Sequence, residues 1–245
     1  MPTLLQNRFL AALSDEARSR LSLDLELVSL PLGVAVRHIY FPTDAVISLL
    51  CVMEQGSTAE IAMVGNDGLV GITLYLGGEL TPSRAIVQNA GSAYRLPRAK
   101  LKDEFNRHGE LLMLMLRYAR CLTAQMDQTA VCNRYHTLEQ RLGRWLLLSL
   151  DRLPTTTMTM TGELIANLLG VEGEVISQVA GKLQKLGVLQ YSRSGITVLD
   201  RPKLELLSCE CYATVKTEAD RLFPCAKFEL AQVGGRTIMP IPSAA

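Results

Sequence analysis

Apolar and polar positions follow three successive rhythms along the 245-residue chain. From residue 7 to about 29, Phe9, Leu10, Leu13, Ala17 and Leu21 recur at three and four, with Ser14-Asp15-Glu16 as a capping break. That spacing predicts a short helical lead-in. Between about residues 30 and 101 the chain breaks into short apolar or alternating runs, at residues 38–41, 45–53, 59–64, 69–76, 85–88 and 92–96. The breaks are Pro42-Thr43-Asp44, Gln55-Gly56-Ser57, Gly65-Asn66-Asp67-Gly68, Gly77-Gly78 and Asn89-Ala90-Gly91. Residues of these types tolerate tight turns, so a small all-β sandwich or barrel is predicted.

After Pro97 the period becomes helical, and residues 110–133 contain neither proline nor glycine. Leu112, Met115, Ala119, Leu122, Met126 and Thr129 alternate at three and four, the seam of a two-stranded coiled coil. A homodimer built on this helix is the expectation. Leu111, Leu114 and Leu116 put apolar residues on its other faces, as a helix packed on its own domain would have.

From residue 136, Leu138, Leu142, Trp145, Leu146 and Leu150 form an amphipathic helix that Arg152-Leu153-Pro154-Thr155 ends. A second helix runs from near Thr161 to Gly170. Val171-Glu172-Gly173 then turns into a third, carrying Val175, Ile176, Val179, Leu183 and Leu186 up to Gly187. Two helices joined by a glycine-containing turn make a helix-turn-helix. Residues 188–191 and 196–199 flank Ser192-Arg193-Ser194-Gly195, which predicts a hairpin and makes the unit winged.

The fold class is therefore α+β: residues 1–107 a β domain of sensor type, 108–135 a dimerisation helix, 136–207 a winged helix-turn-helix, and 208–245 an extension disordered from about Pro224. The formal net charge is +1 and charged residues make up 20%. No bulk attraction to nucleic acid follows from that balance, so any binding must be local. Residues 136–205 hold eight Lys/Arg against seven Asp/Glu, which predicts modest, salt-sensitive non-specific affinity. Mean hydropathy is +0.18, yet no window offers the roughly 18 apolar residues of a spanning helix. The first residues lack the layout of a signal peptide, and a cytoplasmic protein is expected.

The six cysteines, at 51, 121, 132, 209, 211 and 225, include no pair at two-residue spacing. Cys209 and Cys211 make a poor clamp for a tetrahedral ion unless distant ligands complete the set. Reduced structural thiols are expected, with no metal, and His38, His108 and His136 stand in unrelated contexts. No nucleophile elbow, phosphate-binding glycine loop or zinc-protease helix is visible, so no enzyme is expected.

In a helix-turn-helix the start of the second helix meets base edges. Here Glu172, Gly173, Glu174, Ser177 and Gln178 open that helix, with Glu174 suited to a cytosine amino group and Gln178 to adenine. Thr161, Ser177, Lys182, Lys185 and wing residue Arg193 are the expected phosphate contacts. The rival expectation is a dimeric ligand-binding or protein-interaction module with weak or lost DNA readout, favoured by the acidic Glu172-Gly173-Glu174 opening.

From about Leu21 to Phe223 the chain resembles the Crp/Fnr transcriptional regulators. The resemblance rests on His38-Ile39-Tyr40-Phe41-Pro42-Thr43, on residues 64–71 around Gly65-Asn66-Asp67-Gly68, on residues 164–171, and on Gly195-Ile196-Thr197-Val198-Leu199-Asp200-Arg201. Ser208 to Tyr212, reading Ser-Cys-Glu-Cys-Tyr, matches one branch of the family. The resemblance implies a jelly-roll-like, cyclic-nucleotide-binding-like β-roll, a dimer helix and a winged helix on double-stranded promoter DNA. RNA polymerase and a small-molecule effector are the further partners it implies.

Departures limit what carries over. Cyclic-AMP receptors of the family hold the ribose with Gly-Glu and the phosphate with Arg-Ser-Ala, whereas the matching places read Gly71-Ile72 and Ser83-Arg84-Ala85. Ile72 cannot accept from a ribose hydroxyl, so cyclic AMP is not expected and the effector stays unidentified. Oxygen sensors of the family carry an N-terminal cysteine cluster, while the first cysteine here is Cys51, so no iron–sulfur cluster is expected. Relatives place guanine-reading arginines where this chain has Gly173 and Gln178. The hairpin segment at residues 30–37 is shorter than its family counterpart.

Overall fold

The computed structural model describes residues 2–72, 83–192 and 195–223. A 3-10 turn (Leu4–Gln6), α1 (Arg8–Ala11) and α2 (Asp15–Ser22) form the lead-in. Asn7 caps α1 by accepting from the Leu10 N–H at 3.0 Å, and its amide donates to the carbonyls of Pro42 and Gly68, both at 2.9 Å. One buried side chain thus satisfies a helix end and pins two turns of the β domain. The helical stretch expected to reach residue 29 stops at Ser22. Residues Glu26–Leu30 are instead a strand, β1, because their backbone pairs with the distant segment Gly91–Leu96, a partner that no local period reports.

The remaining strands of this half are β2 (Ala35–Val36), β3 (Ile39–Pro42), β4 (Val46–Val52), β5 (Thr58–Val64), β6 (Ser83–Asn89) and β7 (Gly91–Leu96). They form two antiparallel sheets, ordered β1-β7-β3 and β2-β6-β4-β5. Five of the expected runs are therefore strands. Of the sixth, Val70 bridges Tyr40, and residues 73–76 lie outside the described residues, as does the expected Gly77-Gly78 break. Ile39, Phe41, Ile47, Val87 and Leu96 fill the core, together with Phe9 and Leu10 of α1 and Leu101 of α3 (Arg98–Phe105).

α4 (Glu110–Tyr135) runs across this domain with Leu111, Leu114, Met115, Tyr118, Leu122, Gln125, Thr129 and Cys132 buried. Its Gln125 amide pairs with the β5 backbone, accepting from Met63 N–H at 2.7 Å and donating to Met63 O at 3.3 Å. α5 (Leu138–Leu150) follows, opened by a Thr137/Gln140 capping box. Then come β8 (Thr157–Met158), α6 (Gly162–Leu169), α7 (Gly173–Lys185), β9 (Leu189–Ser192), β10 (Gly195–Val198), α8 (Arg201–Leu207) and α9 (Cys211–Leu222). β8, β10 and β9 make the three-stranded wing sheet. α9 lies back along α4, where Arg120 pairs with Glu218 at 2.7 Å. The tail expected to be disordered, residues 224–245, lies outside the described residues.

The second core, around Leu142, Trp145, Leu146 and Ile176, also includes Val46, Leu50 and Met63 of β4 and β5. The helical half is thus packed onto the β sheet. Arg152, just past α5, is 4% exposed and pairs with Asp67 at 2.7 Å, with a second hydrogen bond from its Nε at 3.1 Å. Gly65 and Gly68 frame Asp67. A Cβ on Gly65 would lie 2.6 Å from Arg152 Cβ, and one on Gly68 would lie 2.3 Å from the Tyr118 hydroxyl. This close approach explains why both positions are glycine.

A buried polar chain crosses the same interface. Ser48 Oγ lies 2.5 Å from Glu60 Oε2 and 2.8 Å from Gln88 Oε1, Gln88 Nε2 donates to Ser149 Oγ at 2.9 Å, and Ser149 donates to Trp145 O at 2.9 Å. Ser48 has one proton to give. A protonated Glu60 donating to Ser48 lets every link point one way, from β5 to α5. Burial pushes the Glu60 carboxyl up to about 7, against the opposing pull of the Ser48 hydrogen bond and of Arg144 and Arg152.

Two outcomes follow. Replacement of Asp67→Ala strands a buried guanidinium and should cost about 3–5 kcal/mol in urea unfolding. Because the raised Glu60 group favours its neutral form in the fold, its contribution is full below about pH 4.5 and is lost as pH rises to about 7. Glu60→Gln should therefore flatten the decline in stability over that window and stabilise the protein at pH 8, by on the order of 1–3 kcal/mol in denaturant titrations at several pH values.

Candidate nucleic-acid interface

The helix-turn-helix is held by local chemistry. Thr161 caps α6 by accepting from the Leu164 N–H at 3.2 Å, and Gly170, at φ 66°, ends it in the left-handed conformation that glycine adopts without strain. Arg141 of α5 donates to Leu169 O at 2.5 Å, satisfying the same helix end. α7 turns Ile176, Val179, Ala180 and Leu183 inward, and Lys203 of α8 donates to Leu186 O at its far end. α7 is thus packed along its inner face and held at its far end, while its first turn carries no side-chain cap.

Its outer face carries the predicted residues. Glu172, Glu174, Ser177, Gln178, Lys182 and Lys185 are exposed or half-buried there, and Gly173 has open space where a side chain would stand. Ser177 bonds back to Gly173 O at 3.2 Å and lies 3.4 Å from the Tyr191 hydroxyl. Thr161, expected on phosphate, is committed as a cap through its oxygen. Lys182, also expected on phosphate, pairs with Glu139 of α5 at 2.6 Å. That pair is exposed and worth at most about 1 kcal/mol, so a phosphate could displace it. Arg193 lies outside the described residues.

Two residues of this face escape the periodic reading. Val175 counts as apolar and inward by type, yet it is 38% exposed, on the Gln178 and Lys182 side of α7. The signal is in the spacing: positions 175, 178 and 182 repeat at three and four. Tyr191 wedges between α6, α7 and the wing, its N–H donating to Gln184 Oε1 at 2.7 Å. A Cβ on Gly162 would lie 2.1 Å from the Tyr191 hydroxyl, which accounts for glycine at the first position of α6.

The residues matched to an effector pocket are dispersed in character. Ile72 is buried in the β-domain core, and Gly71, at φ 99°, packs against Ile39. Arg84 is exposed and Ala85 half-buried on β6, while Ser83 pairs with Cys51 at the start of that strand. The connecting residues 73–82 lie outside the described residues. On α4, Met115 and Leu122 of the expected dimer seam belong to the chain's own core, and Leu112, Ala119 and Met126 are half-buried. The large apolar residues exposed on α4 are instead Met113, Leu116, Val131 and, at its last position, Tyr135. Among the described residues no helix is long and apolar enough to cross a membrane.

Residues 140–207 match the family described as the Crp-like helix-turn-helix domain. No curated protein matches the chain by sequence. Among solved structures, FixK2 from Bradyrhizobium japonicum is similar at TM-score 0.64 and 15% identity, over 76% of this chain and 98% of that one. CLP from Xanthomonas campestris, described as a c-di-GMP-responsive global regulator, is similar at TM-score 0.60 and 14% identity, over 76% of this chain and 99% of that one. A CRP/FNR-family transcriptional regulator from Thermus thermophilus is similar at TM-score 0.54 and 20% identity, over 75% and 98%. Residues 140–207 thus match the Crp-like helix-turn-helix domain, and the chain has the fold seen in the Crp/Fnr transcriptional regulators.

Proposed function

We propose that the chain is a homodimeric, non-enzymatic regulator that binds promoter DNA in the cytoplasm through α7 and the wing. The observation that carries this reading is the outward face of α7, where Glu174, Val175, Ser177 and Gln178 stand exposed on a helix whose inner face is buried and whose far end is held by Lys203. Such a face can enter a major groove without paying to order itself. Gln178 would bracket an adenine, Glu174 would accept from a cytosine amino group, and Val175 would meet a thymine methyl. Lys185, and Lys182 once released from Glu139, would meet phosphates.

Dimerisation would use the outward line of Met113, Leu116 and Val131 together with the half-buried Leu112, Ala119 and Met126. A small effector in the β-roll would act by population shift, favouring one separation of the two recognition helices. Neither cyclic AMP nor an iron–sulfur cluster is proposed as that effector, and RNA polymerase is the protein partner such a regulator would meet at a promoter.

A second reading, a dimeric module with weak or lost DNA readout, draws on the acidic Glu172 and Glu174 and on the Lys182–Glu139 pair. The purified protein should select from a random duplex pool a two-fold symmetric motif with half-sites about one helical turn apart. Gln178→Ala should weaken the selected site by about 5- to 100-fold while leaving non-specific binding unchanged. Recovery of no motif, with only salt-sensitive binding, would sink specific readout by the protein alone. The double variant Glu172→Arg, Gly173→Arg separates the readings, since position 173 has room for a side chain. A large gain in affinity for random DNA, with no selected motif in the parent, supports the second reading.

A further inference from the structure

Spacing along the chain separates His136 from every cysteine pair, and the fold corrects that expectation. Cys132 lies in the last turn of α4 and His136 caps the same helix four residues on. Cys209 lies in the connection between α8 and α9, and Cys211 opens α9. One ligand atom from each of the four comes within 4.8 Å of all the others. Cys132 Sγ and Cys209 Sγ are 3.6 Å apart, and Cys211 Sγ and His136 Nδ1 are 3.4 Å apart. In a tetrahedral zinc site, with bonds of about 2.3 Å to sulfur and 2.0 Å to nitrogen, ligand atoms lie roughly 3.5–3.8 Å from one another. These two separations lie near that geometry, and the other ligand pairs lie within 4.8 Å.

The surroundings fit an ion as well. All three cysteines are buried, and four protein ligands fill a tetrahedral set with no position left for water. The other ring nitrogen of His136, Nε2, lies 3.3 Å from Glu210 Oε2, the carboxylate–histidine arrangement that orients an imidazole ligand. Gln128 Nε2 lies 3.4 Å from Cys211 Sγ and can donate to a bound thiolate. Three thiolates around a divalent ion leave one net negative charge. The buried guanidinium of Arg144 stands within electrostatic reach of Cys132, and its Nε has no hydrogen-bond partner.

We propose that Cys132, His136, Cys209 and Cys211 form a closed, structural Cys3His zinc site. Binding would release the three thiol protons to solvent and leave the ion four-coordinate, without a position for substrate. The site would clamp the junction of α4 and α5 to the start of α9, the point where the long helix hands over to the DNA-binding half. It rests on the cluster alone and stands whether or not the chain reads DNA.

The full-length chain, purified under reducing conditions without added metal, should carry about one zinc per chain by elemental mass spectrometry. After removal of zinc by a chelator, titration with cobalt(II) should give thiolate-to-metal charge-transfer and tetrahedral ligand-field bands. Cys132→Ser and Cys211→Ser should abolish both, while Cys51→Ser and Cys121→Ser, outside the cluster, should leave them intact. Because loss of a ligand could unfold the chain, Glu210→Gln provides a second measurement that keeps all four ligands. It should weaken zinc roughly tenfold against a chromophoric chelator. A folded, reduced chain without zinc and without cobalt–thiolate bands would overturn the proposal. So would a metal-free Cys132–Cys209 disulfide in the freshly purified protein, or iron with acid-labile sulfide in place of zinc.

Discussion

The buried ion pair between Arg152 and Asp67 sets where the helix-turn-helix half stands relative to the β domain. A guanidinium that is 4% exposed must have its charge answered where it lies, and Asp67 can answer it only because Gly65 and Gly68 let the turn approach Arg152 and Tyr118. Arg152 also donates to Leu148 O at 2.7 Å, so the pair is tied to the end of α5. Gln125 on the β5 backbone and the shared apolar residues Val46, Leu50 and Met63 extend the contact. Many weak constraints would permit sliding. A buried charge pair framed by glycines does not, because a shift of a fraction of an ångström strands charge or forces atomic overlap.

That fixed junction gives the proposed regulation a physical route. A two-fold DNA reader depends on the separation and tilt of its two recognition helices, and in each chain α7 follows the position of α5 and α6, which pack against the β domain. The chain from Glu60 through Ser48 and Gln88 to Ser149 runs from strands β4, β5 and β6 into α5. A ligand that moves those strands would therefore act on α5 through a buried hydrogen-bonded path. α9 lies along α4 and brings Cys209 and Cys211 to the end of that helix, so the C-terminal segment fastens the same junction from the other side.

Much of this is legible in the sequence, and what is not has a common cause. Five of the β strands, the start of α4, the ends of α6 and α7 and the wing follow from period and punctuation, because each reports a local balance of burial and backbone conformation. β1 reads as helix since its pairing partner, β7, is about sixty residues away. Val175 reads as core by type alone, though its place on α7 sets it outside. The α4 stripe is apolar as its spacing says, but Met115 and Leu122 face the chain's own β domain. Periodicity shows that a face seeks cover and does not show what covers it.

The sequence by itself therefore determined the order of the parts: a small β domain, a long helix, and a winged helix-turn-helix with a polar outer face. Turn residues, caps and repeat spacing act over a few residues and need no partner to be read. Only the tertiary structure decided which charges are buried, which helix face meets the chain's own core, and which distant thiols meet His136. Those outcomes depend on contacts between segments tens of residues apart, whose distances are fixed by packing and not by neighbours in the chain.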